Sequence, residues 1–281
     1  MALIDIGANL THKSFAHDFE SVVADAVEAG LAHIILTGTD LPTSRAALAL
    51  STERPELFSC TVGFHPHIAQ SVSAADLNAA DELSALPEVV AVGETGLDFN
   101  RNYSPPERQL AIFERQLQLA VALQKPVFLH QRDAHTAFLD LLKRYRCDLP
   151  GGVVHCFTDN EAALLDYLEL DMYIGVTGWI CDERRGELLQ SLVAKIPDDR
   201  LLVETDAPYL LPRTLTPQPG SRRNEPKYLI EVLKTIAYHR QQAVEVVARH
   251  SAENAIRLFG LRKRLKSQQT GAGSLPEGQV S

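Results

Sequence analysis

Four acidic and imidazole side chains follow short apolar runs of this sequence. Glu94 lies in VVAVGETG, His130 in PVFLHQ, His155 in GVVHCF, and Asp206 closes LLVETD. A buried carboxylate without a counter-charge is costly, and a metal ion would supply that charge. Imidazole nitrogen combined with carboxylate oxygen suits Zn, Mn, Co or Fe and, with retained water, Mg. The sequence therefore predicts a divalent metal site formed by these four side chains.

The prediction depends on the coincidence of four such residues, because an isolated histidine at a strand end is more often structural than a ligand. Glu204 shares a strand face with Asp206 but lies deeper, and we interpret it as a supporting partner of the ligands. Six other histidines are predicted to be surface or packing residues: His12, His17, His33, His135, His239 and His250.

The elements that must position these side chains alternate along the chain. Eight β-rich apolar runs are separated by amphipathic stretches whose apolar residues recur at spacings of three and four. The runs cover residues 2–7, 33–39, 58–64, 89–96, 126–131, 152–157, 172–178 and 201–206. Their near-continuous Val, Ile and Leu are typical of a parallel sheet covered by helices. Eight such units in about 250 residues predict a TIM (β/α)8 barrel.

An open doubly wound sheet is the alternative architecture. The segment after the first run, DIGANLTHKSF, lacks the GxGxxG phosphate loop of that fold, so the barrel is favoured. In a barrel the carboxyl ends of all strands meet on one face, which would bring the four predicted ligands together. His65, which follows the third run in VGFHPH, would join them there.

Composition and charge limit the classes of protein to consider. The chain has 281 residues, 45% of them hydrophobic, which suits one barrel domain over residues 1–260, and the polar residues 261–281 are predicted to lack fixed structure. No apolar run reaches the roughly 18 to 20 residues of a membrane helix, and the N-terminus lacks signal-peptide features. We therefore expect a cytoplasmic protein that does not contact a membrane. We also expect the protein to be a monomer. Four scattered cysteines indicate reduced thiols. A net charge of −9 argues against a general basic surface that coats nucleic acid.

Seven stretches resemble the TatD family of metal-dependent deoxyribonucleases: VGFHPH, GETGLDF, PVFLHQRDA, VVHCFTD, YIGVTGW, LLVETDAPYL and RRNEP. The resemblance covers about residues 3–260. It implies a barrel of the metal-dependent hydrolase (amidohydrolase-like) type that hydrolyses DNA phosphodiesters and trims single strands from the 3′ end. The implied cofactor is Mg, with Mn or Zn as alternatives. Single-stranded DNA is the implied substrate, RNA a second one, and DNA repair the implied role.

The same resemblance implies a role for each site residue. Glu94 would bridge two metals, and His130 and His155 would hold one of them. Asp206 would ligate the metal or orient the attacking water and would take its proton. His65 would contact the substrate phosphate, so the expected catalytic residues are Asp206, Glu94 and His65. The expected chemistry is attack of a metal-activated water on phosphorus.

One motif departs from the family pattern. Most relatives place two histidines as H-x-H after the first strand, where DIGAN has Gly7 and Asn9. Gly7 has no ligating side chain, and Asn9 offers only a neutral carbonyl oxygen. We therefore expect one tightly bound ion and a second, weakly bound ion supported by Asp5 and water.

Arginines cluster after the last two predicted strands, at positions 184, 185, 213, 222 and 223. Because they share the face of the predicted metal site, we expect Arg184, Arg222 and Arg223 to contact the phosphates of the substrate. The alternative is that these arginines pair with neighbouring acids and that RRNEP anchors a loop.

Two other functions stay open at this point. Amidohydrolase-type hydrolysis of a small anionic substrate would use the same barrel and ligands, although Glu94 stands where many amide-cleaving relatives have a modified lysine. A non-catalytic nucleic-acid-binding scaffold is the other, since Gly7 and Asn9 replace expected ligands. Metal content and turnover distinguish the scaffold from an enzyme.

Overall fold

The computed structural model describes residues 2–262 and 264–265. Their eight β-strands form one parallel sheet in chain order, β1 to β8. The strands are β1 Leu3–Ala8, β2 Leu31–Leu36, β3 Phe58–Val62, β4 Val89–Asp98, β5 Val127–Arg132, β6 Gly152–Val154, β7 Tyr173–Val176 and β8 Leu201–Val203. Each of the eight predicted runs overlaps one strand, and the predicted TIM barrel is confirmed.

Backbone hydrogen bonds link the carboxyl end of β1 and the residue after it to the segment that follows β8, and they close the barrel. The amide of Asp206 donates to the carbonyl of Gly7 across 2.8 Å, and the amide of Asn9 donates to the carbonyl of Ala207 across 2.7 Å. The last strand ends three residues before Asp206, whose φ of 52° lies in the left-handed region and departs from strand geometry. Asp206 therefore stands in the loop at the barrel face, where the chain from both ends meets.

The α-helices cover the outside of the sheet. They are α1 Phe19–Glu28, α2 Leu41–Glu53, α3 Ala74–Ser84, α4 Pro106–Leu123, α5 His135–Tyr145, α6 Glu161–Glu169, α7 Glu187–Leu192, α8 Leu229–Arg240 and α9 Val244–Phe259. Short 3-10 turns occur at Lys13–Phe15, Pro66–Ser71, Gly178–Cys181, Val193–Lys195 and Pro226–Tyr228. Capping boxes begin two of the helices: Asp40 with Thr43 at α2, and Ser73 with Asp76 at α3.

Two apolar clusters stabilise the barrel. The larger one lies between the sheet and the surrounding helices. The smaller one fills the barrel interior, where Ile6, Phe128 and Leu202 pack in one cluster with Ala255 and Phe259 of α9. Because α9 packs into this interior cluster, it closes the end of the barrel opposite to the carboxyl ends of the strands.

The packing of the barrel extends to the residue that follows the predicted domain boundary. Leu261, assigned to the tail from the sequence, is buried in the interior cluster with α9. Residues 266–281 of the predicted tail lie outside the described residues. Within the described part of the chain, no helix combines the length and the apolar character needed to cross a membrane.

Candidate metal centre

A single carboxylate oxygen of Glu94 contacts three imidazole rings at the barrel face. Glu94 Oε1 accepts hydrogen bonds from His155 Nε2 at 2.8 Å and from His130 Nδ1 at 3.0 Å, and it lies 3.3 Å from His65 Nε2. Glu94 belongs to β4 and His130 to β5, whereas His65 and His155 follow β3 and β6. Four adjacent parallel strands thus bring together residues that are up to 90 positions apart in the chain.

The charges in this cluster shift the pKa of each group. Burial alone would raise the pKa of Glu94, but the neighbouring His155 and His65 and the imidazole hydrogen bonds hold it well below its usual range. Burial alone would lower the pKa of His155, but the charges of Glu94 and Glu204 raise it well above the ordinary value. The pKa of His130 is raised despite burial by its hydrogen bonds to Asp98 and Glu94.

Asp206 and His65 show the effect of burial more directly. Burial, with the nearby charge of Glu94 and Glu204, raises the pKa of Asp206 to about 7. Burial lowers the pKa of His65 to about 4. Asp206 lines the same cavity as Glu94, and Asn9 Nδ2 donates a hydrogen bond to Asp206 Oδ1 across 2.9 Å.

Two further carboxylates lie next to the imidazole rings on the side away from Glu94. Glu204 Oε2 lies 3.4 Å from His155 Nδ1, while Glu204 Oε1 accepts a hydrogen bond from the amide of Cys156 at 2.6 Å. Asp98 Oδ2 accepts a hydrogen bond from His67 Nε2 at 2.7 Å and lies 3.4 Å from His130 Nε2. Carboxylates in this position orient the ring of a metal-binding histidine and increase its basicity.

The donor atoms fit a divalent cation. The ligand atoms of His65, Glu94 and His130 all lie within 4.8 Å of one another. Three imidazole nitrogens that converge on one buried carboxylate oxygen offer a donor set for a cation. A mixture of imidazole nitrogen and carboxylate oxygen suits a divalent metal ion.

A cavity of about 540 Å³ opens above this cluster. Glu94, His155 and Asp206 line this cavity, and so do Arg101 and Arg132. Its position at the carboxyl ends of the strands is where the active sites of TIM-barrel enzymes lie.

Comparison with known proteins agrees with this geometry. The family described as TatD related DNase matches residues 4–260. A protein of Citrobacter rodentium named 3′-5′ ssDNA/RNA exonuclease TatD is 50% identical over 259 residues, which are 92% of this chain and 98% of that protein. The chain belongs to the TatD family. A relative of the same name in Escherichia coli is 48% identical over 259 residues, 92% of this chain and 99% of its own length.

The solved structure of YJJV, a TatD homolog from Escherichia coli, has the same fold. It aligns with a TM-score of 0.82 at 30% identity and covers 92% of this chain and 98% of its own. Similarity of sequence and similarity of fold therefore both support membership of the TatD family, and each extends over the barrel.

Gly7 stands where the sequence resemblance leads us to expect a histidine, and it has little room for a side chain. A Cβ atom at this position would lie 2.5 Å from Glu204 Oε2 and 2.9 Å from Phe128 Cζ. Glu204 and Phe128 therefore occupy the space that an imidazole would need. Asn9 faces the cavity but uses its amide nitrogen to hold Asp206, so it supports a ligand through this hydrogen bond.

The three arginines predicted to contact phosphates have different surroundings in the structure. Arg223 is held in place: its guanidinium donates to Asp18, to Glu225 and to the carbonyl of Ser14, and it stacks on a phenylalanine ring. The nitrogens Nη1 and Nη2 of this guanidinium anchor a loop, and phosphate contact by Arg223 stays a prediction. Arg184 and Arg222 are exposed and line a separate cavity of about 480 Å³.

The sequence did not predict several residues that line the cavity of about 540 Å³, which is called the central cavity below. Arg101 and Arg132 are exposed and line it, and Tyr209 stands at its rim with half of its surface exposed. His12, interpreted as a surface or packing residue, also lines the cavity and packs edge-on against Tyr209. The available signal was position: Arg101 and Arg132 lie at or just after the ends of β4 and β5, as the ligands do.

Proposed function

We propose that this protein is a metal-dependent nuclease that removes nucleotides from the 3′ end of single-stranded DNA, with RNA as a second substrate. Its main support is the cluster in which one oxygen of Glu94 lies within 3.3 Å of three imidazole nitrogens, beneath an open cavity. The names of the relatives, 3′-5′ ssDNA/RNA exonuclease TatD, supply the substrate and the direction.

In this proposal Glu94, His130, His155 and Asp206 hold the divalent ion. The proposed ion is Mg, with Mn and Zn as alternatives: carboxylate oxygens and retained water suit Mg and Mn, and imidazole nitrogens suit Zn. A bound divalent ion lowers the pKa of water and neutralises charge on phosphate oxygens.

The chain itself contributes orientation and proton transfer. Asn9 holds the Asp206 carboxylate by a hydrogen bond, which positions it to accept a proton from the attacking water. His65 stands beside Glu94 on the cavity wall, where its imidazole can donate to a phosphate oxygen of the substrate. Arg101 and Arg132 offer positive charge on the same cavity.

The cellular setting extends the proposal. The proposal has four further parts: a role in DNA repair, a cytoplasmic location, a monomeric state and a single domain over residues 1–260. All four cysteines are free, which suits a reducing compartment.

Oligonucleotides labelled at either end test the reaction, its direction and its metal dependence. Purified protein with Mg or Mn should release mononucleotides from the 3′ label first, and a chelator should stop the release. Glu94→Gln keeps the size of the side chain but removes its charge, so turnover should fall at least about a hundredfold together with bound metal. Release from the 5′ label first, or wild-type turnover by Glu94→Gln, would contradict the proposal.

A further inference from the structure

A second, lateral cavity of about 250 Å³ adjoins the central cavity, and Arg132 lines both. Amides and carboxylates form one side of it, and Trp179 and Arg185 form another. Its volume is just below the roughly 300 Å³ of the smallest pockets that hold drug-sized ligands. The lateral cavity therefore suits a single flat ring next to the metal centre.

The polar side of the lateral cavity favours a base over a phosphate. Asn100 Nδ2 donates to Asp133 Oδ2 at 2.6 Å, and Gln131 Nε2 donates to Asp159 Oδ2 at 2.8 Å. These carboxylates repel a phosphate group. They can accept hydrogen bonds from the amino groups of a nucleobase, as carboxylates do in base recognition.

The opposite side presents flat groups. The Arg185 guanidinium lies 4.4 Å above the Trp179 ring. Asp182 accepts from Arg185 Nε at 3.1 Å and from Nη2 at 2.8 Å, and Trp179 Nε1 donates to the Arg185 carbonyl at 3.2 Å. These contacts hold the guanidinium and the indole in one stack. Proteins that bind single strands use aromatic rings and arginine planes of this kind to support bases.

Exposed cations stand on both sides of the lateral cavity. Arg132 separates it from the metal centre, and a third cavity that contains Arg222 shares Trp179 and Arg185 with it. In the described part of the chain, neither Arg132 nor Arg222 forms an ion pair, whereas Arg213 in the third cavity is paired with a glutamate. Arg132 and Arg222 are therefore available to contact phosphates along the row of cavities that begins at the metal centre.

We propose that the lateral cavity holds one base of the single strand, upstream of the bond that is cleaved. Arg132 then contacts the phosphate between this nucleotide and the metal centre, and Arg222 contacts a phosphate further upstream. This inference rests on the proposed function, which places the 3′ end of the strand at the metal centre.

An abasic scan of the substrate tests the base subsite without changing the protein. A fluorescein-labelled 12-nucleotide strand with phosphorothioate linkages at its 3′ end is bound in the presence of Mg and followed by anisotropy. One upstream position should raise the Kd about tenfold when its base is removed, since stacking of a base is worth this much. Equal effects at all upstream positions would overturn the base subsite.

Arg222→Ala tests the path of the phosphates. Its kcat/KM should fall about tenfold more for the 12-nucleotide strand than for a dinucleotide. The plot of log Kd for the long strand against log salt should become shallower by about 0.7 for the lost phosphate contact. Arg249→Ala, on α9 at the closed end of the barrel, removes an equal charge and should change neither quantity.

The outcomes separate the inference from the proposed function. Wild-type protein that cleaves neither substrate overturns both. Wild-type cleavage combined with a uniform abasic scan, equal losses for both lengths and an unchanged salt slope overturns the inference alone.

Discussion

Asn9 Nδ2 donates a hydrogen bond to Asp206 Oδ1 across 2.9 Å and joins the loop after the first strand to the loop after the last. The two residues are 197 positions apart in the chain. Two backbone hydrogen bonds beside this contact, from Asp206 to Gly7 of β1 and from Asn9 to Ala207, close the barrel and also position Asp206.

Asn9→Ala should lower kcat about 10- to 100-fold, because residues that orient a metal-binding group have effects of this size. Steady-state kinetics on a single-stranded oligonucleotide measures the change. Asn78→Ala, an exposed asparagine on α3, is the matched control and should retain wild-type kcat. Equal kcat for Asn9→Ala and wild type would show that Asp206 does not need this hydrogen bond.

Gly7→Ala should destabilise the barrel by about 1–3 kcal/mol, because its Cβ would overlap with Glu204 and Phe128 in a packed interior. Urea unfolding gives the change in free energy. Gly220→Ala is the control: nothing lies within 4 Å of its added Cβ, and a change below about 0.5 kcal/mol is expected. A Gly7→Ala protein as stable as the control would mean that Glu204 moves aside at little cost.

The same contacts predict the metal stoichiometry. Gly7→His with Asn9→His should fail to create a second nitrogen site, since the space beside Gly7 is filled. Calorimetric titration of the wild type should show one tight ion and a weaker second one. Two equally tight ions in the wild type would contradict the prediction.

His33 should make the protein sensitive to acid. Burial lowers its pKa from the ordinary 6.5 to about 4, and its ring bonds to Ser59 Oγ and to the carbonyl of Glu56. The unfolded chain therefore takes up a proton at a higher pH than the folded chain. The stability linked to His33 is complete above pH 6.5 and is lost as the pH falls towards 4, by about 3 kcal/mol in all.

Urea unfolding of wild type and His33→Gln between pH 7 and 4 measures this loss as a difference between two pH profiles. The profile of His33→Gln should be flatter. His17→Gln, an exposed histidine, is the control and should follow the wild type. Parallel profiles for wild type and His33→Gln would exclude His33 as the cause of acid sensitivity.

Arg223→Ala should lower Tm by roughly 2–4 °C and leave KM within about twofold of the wild type, because its guanidinium anchors a loop. Arg222→Ala should do the reverse and raise KM at constant Tm. Thermal unfolding and kinetics of the two variants test neighbouring residues with the same charge. A raised KM for Arg223→Ala at unchanged Tm would support its predicted contact with phosphate.

The sequence by itself determined the barrel and the approach of most residues of the candidate metal centre. Apolar runs alternating with amphipathic stretches predict parallel strands, and parallel strands must end on one face. Glu94, His130 and His155 lie at such ends, so their approach follows from the order of strands without knowledge of any side-chain contact.

Only the tertiary structure decided which polar groups are available. Arg222 and Arg223 are adjacent in the chain, yet Arg223 reaches Asp18 across the barrel face while Arg222 remains exposed. Likewise, the space beside Gly7 is taken by Glu204, a residue of the last strand's loop. Periodicity reports which face of its own element a residue occupies, but ion pairing and excluded volume depend on distances between elements that are far apart in the chain.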